Sequence, residues 1–121
     1  MNAEKTKAYY KTLTSDDICS CAYCRNYVGQ IRSAYPLVAD WLKNIGADIE
    51  KPFELCPVGP DDAGNITYWG AQYVLLGSRA DFRRTKIDDV DIDIAESHPC
   101  TEIEEEHFVI EICPIYLKWL E

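Results

Sequence analysis

The sequence predicts an α+β domain, with two N-terminal helices packed on one face of a mainly antiparallel sheet of three or more strands. Three observations predict it. Apolar residues recur at helical spacing between Cys21 and Ile45, the period falls to two beyond residue 65, and helices precede strands instead of alternating with them. Without a βαβ alternation the strands pair antiparallel, and the helices cover one face. A chain of 121 residues suits one domain, and its 47% hydrophobic content, with eight Tyr and three Trp, is too rich for a disordered one.

Residues 1–18 are polar and expected to be loosely held, with Tyr9, Tyr10 and Leu13 as anchors, so the domain proper is placed at 19–121. From Cys21 the apolar residues Tyr27, Val28, Ile31, Tyr35, Val38, Trp41, Leu42 and Ile45 fall at three- and four-residue steps, which gathers them on one face. Pro36 has no N–H and pushes Tyr35 out of helical angles, so the run predicts two helices, about 21–34 and 36–45. Gly46 stands where a left-handed C-cap ends the second.

Asp61 to Asn65 is a turn signal, and Ile66 to Leu76 is rich in aromatic and branched residues, as strands are. Gly70 within it predicts a bulge or a close backbone approach. Between Lys86 and Ile94 the tail alternates, with Val90, Ile92 and Ile94 inward and Asp89, Asp91 and Asp93 toward water. The last strand is His107 to Cys113, with Phe108, Ile110 and Ile112 on one side. Pro114 ends it, and Tyr116 to Leu120 follow as a packed tail.

Met1 to Lys11 is polar, carries three lysines and has no apolar run behind it, so the expected location is cytoplasmic. The apolar stretches, such as Tyr73 to Leu76, are strand-sized, and no membrane contact is expected. The net charge of −9 is polarised: residues 1–86 hold ten acids and eleven bases, while 87–121 hold eleven acids against Lys118 alone. Such a chain has no general surface for neutralising phosphates, which excludes nucleic acid as the expected partner. It suits a basic protein partner or a cation.

The cluster with chemistry in it is Cys19-Ser20-Cys21-Ala22-Tyr23-Cys24. Three thiols meet a helix start, where unpaired N–H groups favour a thiolate, and a Cys-x-x-Cys spacing lets two sulfurs face one metal or each other. Three readings fit. One is a zinc site completed by a ligand from Cys56, His98, Cys100 or His107. Another is thiol redox chemistry, although residues 9–18 make a poor version of the strand that precedes such sites. The third is packing, because cysteine is small and readily buried. The segment Glu96 to His107 adds His98, Cys100, His107 and five glutamates, groups that bind metals or carry protons. Its spacing matches no catalytic template, and it also reads as a solvated acidic loop in which Thr101 and Glu104 are spaced for a capping box.

Cys21-Ala22-Tyr23-Cys24-Arg25-Asn26-Tyr27, Ala34-Tyr35-Pro36 and Asp48-Ile49-Glu50-Lys51-Pro52-Phe53-Glu54 resemble a family of small uncharacterised bacterial proteins. Ser97-His98-Pro99 and Ile103-Glu104-Glu105-Glu106-His107-Phe108 resemble the same family, so the likeness spans about residues 19–112. It implies a stand-alone domain and carries no activity or catalytic residue with it. The expectation is therefore a small acidic binding domain, not an enzyme. The alternative is a zinc- or thiol-dependent protein centred on Cys19, Cys21 and Cys24. For that metal site the ligand set is Cys19, Cys21, Cys24, His98, Cys100 and His107.

Overall fold

A computed structural model describes residues 1–121. Helices α1 (Ala3–Thr12), α2 (Ala22–Ala34) and α3 (Pro36–Asn44) come first. Strands β1 (Glu54–Val58), β2 (Asn65–Leu76), β3 (Thr85–Ile87), β4 (Val90–Ile94), β5 (His107–Cys113) and β6 (Ile115–Lys118) follow. The six strands form one sheet in the order β1-β2-β5-β4-β3, with β6 beside β2, and every pairing is antiparallel. No helix is long and apolar enough to cross a membrane.

The two predicted helices lie where their periodicity and proline place them. Cys21 is the N-cap of α2, and Pro36 opens α3 at its first position, where a missing N–H costs nothing. Gly46 closes α3 with φ 92°, as its amide bonds Lys43 O at 3.0 Å and Ala47 N bonds Leu42 O at 2.9 Å. This is the paired 5→2 and 6→1 pattern of a Schellman cap. The absent side chain matters twice, since a Cβ on Gly46 would also lie 2.7 Å from Lys7 N in α1.

Helix α1 corrects the expectation for residues 1–18. Its apolar content is too low to announce a packed helix, and its anchors are hydrogen bonds. Strand β1 covers one edge of β2 only as far as Gln72, where Phe53 N reaches Gln72 O at 2.7 Å. Beyond that point α1 takes over. The Tyr10 hydroxyl donates to Val74 O at 2.9 Å, Thr6 Oγ1 accepts from Leu76 N at 3.0 Å, and Asn2 N donates to Leu76 O at 2.8 Å. A helix thus covers a sheet edge whose open polar groups would otherwise pair with another strand. Lys51 Nζ holds the other end of α1 by donating to Tyr10 O and Leu13 O at 2.9 and 3.0 Å.

Strands β5 and β6 continue one ladder on β2 in a single register, since Ile112 faces Ala71 and Ile115 faces Tyr68. Pro114 interrupts it by removing a ladder donor. The tail expected after Pro114 is therefore a strand. The inward set changes parity there, from Phe108, Ile110 and Ile112 to Ile115 and Leu117. Strand β2 makes the same step at Trp69-Gly70, from Ile66 and Tyr68 to Ala71, Tyr73 and Leu75. Opposite β1 the register slips at that point, so the bulge predicted at Gly70 is present. The predicted 86–94 run splits into the hairpin β3–β4, which turns at Asp88-Asp89 with Asp88 at φ 52°, a left-handed angle that Asp tolerates.

The main core lies between this sheet and α2 and α3, and Tyr27, Ile31, Val38, Leu42, Tyr68, Tyr73, Ile92 and Ile110 are all buried in it. Each such aliphatic side chain contributes about 1.5–3 kcal/mol relative to exposure. A smaller cluster of Val74, Leu76 and Val109 lies on the opposite face of the sheet, under Tyr9, Phe53, Ala95 and Ile103.

Candidate metal centre

The chain reaches α2 through a 3-10 turn at Ser15–Asp17, capped reciprocally by Thr14 and Asp17. Cys19 lies just after this turn, Cys21 is the N-cap of α2, and Cys24 is in its first turn. N-cap and third helical residue point toward one another at a helix start, and the extended backbone of Cys21 (ψ 165°) lets the preceding chain fold back over them. The three sulfurs all lie within 4.8 Å of one another, a cluster that can hold a metal ion. Cys19 and Cys21 are exposed, whereas Cys24 is half-buried against the main core.

The thiols differ in acidity. The backbone N–H of Cys24 holds the Cys21 thiol below the usual range, with help from Cys19, Cys24 and the Tyr23 N–H, although some burial opposes it. Burial pushes the Cys24 thiol up, and the neighbouring Cys19 and Cys21 sulfurs push it further. Cys21 therefore gives up its proton more readily than Cys24, whose proton a binding cation would have to displace.

The wall behind the trio joins α2 to β2 and the C-terminal segment. The Tyr68 hydroxyl donates to Tyr23 O at 2.6 Å, and its own acidity is weakened first by burial and then by the nearby Cys24 and Cys21. Buried Asn26 donates to Lys118 O at 2.9 Å and accepts from Leu120 N at 2.8 Å. Arg25 pairs with Glu121 at 2.8 Å, and the Tyr23 and Trp119 rings pack at 5.3 Å. Sequence reading passed over Asn26 and Tyr68. The one available signal was a polar residue beside the apolar stripe of α2, and apart from Gln30 its partners are more than forty residues away.

The other sequence-predicted ligands do not join the trio. His107 pairs with Leu76 on β2, eight residues along that strand from Tyr68. At the rise of an extended strand that separation is about 26 Å. Both its ring nitrogens are engaged, Nε2 with Thr101 Oγ1 at 2.6 Å and Nδ1 with Glu105 O at 2.7 Å. Thr101 Oγ1 also accepts from Ile103 N at 3.3 Å, and no helix follows, so the spacing of Thr101 and Glu104 serves the loop and not a capping box. His98 pairs with Pro99 O at 2.7 Å and packs edge-on to Phe53, and Cys100 is exposed in the same loop. No carboxylate hydrogen-bonds to either imidazole. Cys56 is exposed on β1, next to inward-facing Leu55 and thus on the face away from the helices. Compared with family models, curated proteins and solved structures, the chain matches none.

Proposed function

We propose that the protein binds a thiophilic divalent metal ion, zinc foremost, through the thiolates of Cys19, Cys21 and Cys24. The mutual approach of the three sulfurs within 4.8 Å carries this reading. Zinc bonds thiolate at about 2.3 Å, which in a tetrahedral shell sets sulfurs about 3.8 Å apart, so a closure of no more than about 1 Å brings the three thiolates to bonding distance. Three thiolates at this spacing repel one another, and a bound cation removes that repulsion. Because Cys19 and Cys21 are exposed, the fourth position faces water. Three protein ligands and one open position make up a site that can exchange a ligand, unlike a closed four-cysteine knot. Bound metal would also tie the segment before α2 to its first turn.

Metal content, measured on protein purified without a metal-affinity column, tests the reading. One zinc per chain is expected, with three thiols protected until a chelator is added, and Cys24→Ala loses the metal. Zinc-free protein that takes up no added zinc and has one fast-reacting thiol would replace this reading with redox chemistry. No metal uptake, with Cys19 and Cys21 reacting no faster than exposed Cys56 and Cys100, would leave the trio without a metal or redox role.

A further inference from the structure

On the face of the sheet away from the helices, Asp91, Asp93, Glu96, Glu111 and Arg84 line a depression of about 390 Å³. Strand register assembles it. Asp93 stands directly opposite Glu111, a like-charge cross-strand pair that is unfavourable unless a cation lies between. The nearest cations on this face fall beside Asp91, which pairs with Arg84 at 3.6 Å and stands opposite Lys86, while Lys118 lies at the far end of β2 opposite Asn65. Asp93, Glu96 and Glu111 have no ion-pair partner.

Beneath them is a second, independent sign. Gln72 is 7% exposed, and its Nε2 donates to Glu111 Oε2 at 3.0 Å and Ser97 O at 2.9 Å, both residues of the depression. The Oε1 of the same amide is the one buried side-chain polar atom in the chain without a hydrogen-bond partner. Glu111 is held over Gly70, where a Cβ would lie 2.7 Å from its Oε2. The depression, whose lining cation Arg84 is engaged by Asp91, thus carries more carboxylate acceptors than the chain supplies donors for.

A single metal ion does not match it, because no three of these carboxylates converge as the cysteine trio does. A guanidinium or ammonium group, with donors directed several ways, does match. Next to Gly70 the same face exposes Trp69 (53%) and, across the strands, Val58 and Tyr116 (57%). Aromatic faces of this kind accept cations and are enriched at protein interfaces, whereas a free organic cation would leave this apolar row uncovered.

We propose that this depression receives an arginine or lysine side chain of a basic protein segment, which lies across the sheet beside Trp69 and Tyr116. The probe is a fluorescein-labelled peptide of alternating arginine and glycine, titrated with the full chain and followed by anisotropy. Binding is expected at an ionic strength of about 0.01 M and should weaken strongly at about 0.15 M, as the screening length shortens. Asp93→Asn with Glu96→Gln, both exposed positions, should weaken it about tenfold or more, while the equal charge loss of Glu104→Gln with Glu105→Gln changes it less than about twofold. Absence of binding at low salt would overturn the proposal, and so would equal weakening in the two double variants. Tighter binding of spermidine or calcium than of the peptide would overturn it too.

Discussion

Tyr73→Phe should destabilise the fold far more than Tyr27→Phe, although both remove one buried hydroxyl. The two phenols form a directed chain. Tyr73 donates to Ile49 O at 2.7 Å, which leaves Tyr27 as the donor in the 2.6 Å contact between the two hydroxyls. Both rings are completely buried, so a group that loses its partner finds no water. Removing the Tyr27 hydroxyl leaves Tyr73 bonded to Ile49 and forfeits one ordinary hydrogen bond, about 0.5–1.5 kcal/mol. Removing the Tyr73 hydroxyl orphans both the Ile49 carbonyl and the Tyr27 hydroxyl, and an orphaned buried group costs about 1–3 kcal/mol. With partial relaxation the expected loss is about 2–4 kcal/mol, a large share of the 5–15 kcal/mol that holds an ordinary domain together. The double variant should lose less than the sum, because the Tyr27 hydroxyl can no longer be orphaned. Urea unfolding with chelator present, extrapolated linearly, reads all three differences free of metal linkage. A Tyr27→Phe loss equal to or above that of Tyr73→Phe would refute the donor order and with it this account of how α2 is fastened to the sheet.

Burial pushes the phenols of Tyr10, Tyr27 and Tyr73 above the ordinary value of 10.0, so the folded chain holds these protons more tightly than the unfolded one. Their contribution is intact below pH 10 and declines as pH rises beyond it, by about 1.4 kcal/mol per unit for each phenol. Alkaline unfolding should therefore be steep, and these phenols should ionise together with the loss of circular dichroism. Their ionisation in a natively folded chain would contradict the burial. Thr6→Val should orphan the Leu76 amide and cost about 1–3 kcal/mol. Hydrogen exchange at Leu76 should accelerate more than at Tyr73, and unchanged protection there would show that α1 does not close the β2 edge.

Local chemistry was legible in the residues. Helical spacing from Tyr27 to Ile45, the punctuation of Pro36 and Gly46, and the alternation of Val90, Ile92 and Ile94 each act within a few residues of themselves. Their elements accordingly stand where the sequence puts them. Gly70 marked a bulge for the same reason, since the residue type reports a backbone demand made on the spot. The meeting of Cys19, Cys21 and Cys24 was legible too, because a helix start and six residues of chain suffice to gather them.

Structure that depends on distant partners was not legible. Helix α1 has a polar sequence because its anchors, Thr6 and Tyr10, answer β2 carbonyl and amide groups some seventy residues away. The strand Ile115–Lys118 reads as a tail until Tyr68 and Ile66 face it. The histidines His98 and His107 have ligand chemistry, but strand register and loop hydrogen bonds hold them away from the thiols. The acidic third of the chain similarly divides into a loop and a depression only once Asp93 is set against Glu111 above Gln72. The sequence alone determined the class of fold, the limits of α2 and α3 and the thiol cluster, because periodicity, capping and short spacing are properties of neighbouring residues. The tertiary structure alone decided the strand order, the covered edge and which polar groups meet, because those depend on pairings between residues far apart in the chain.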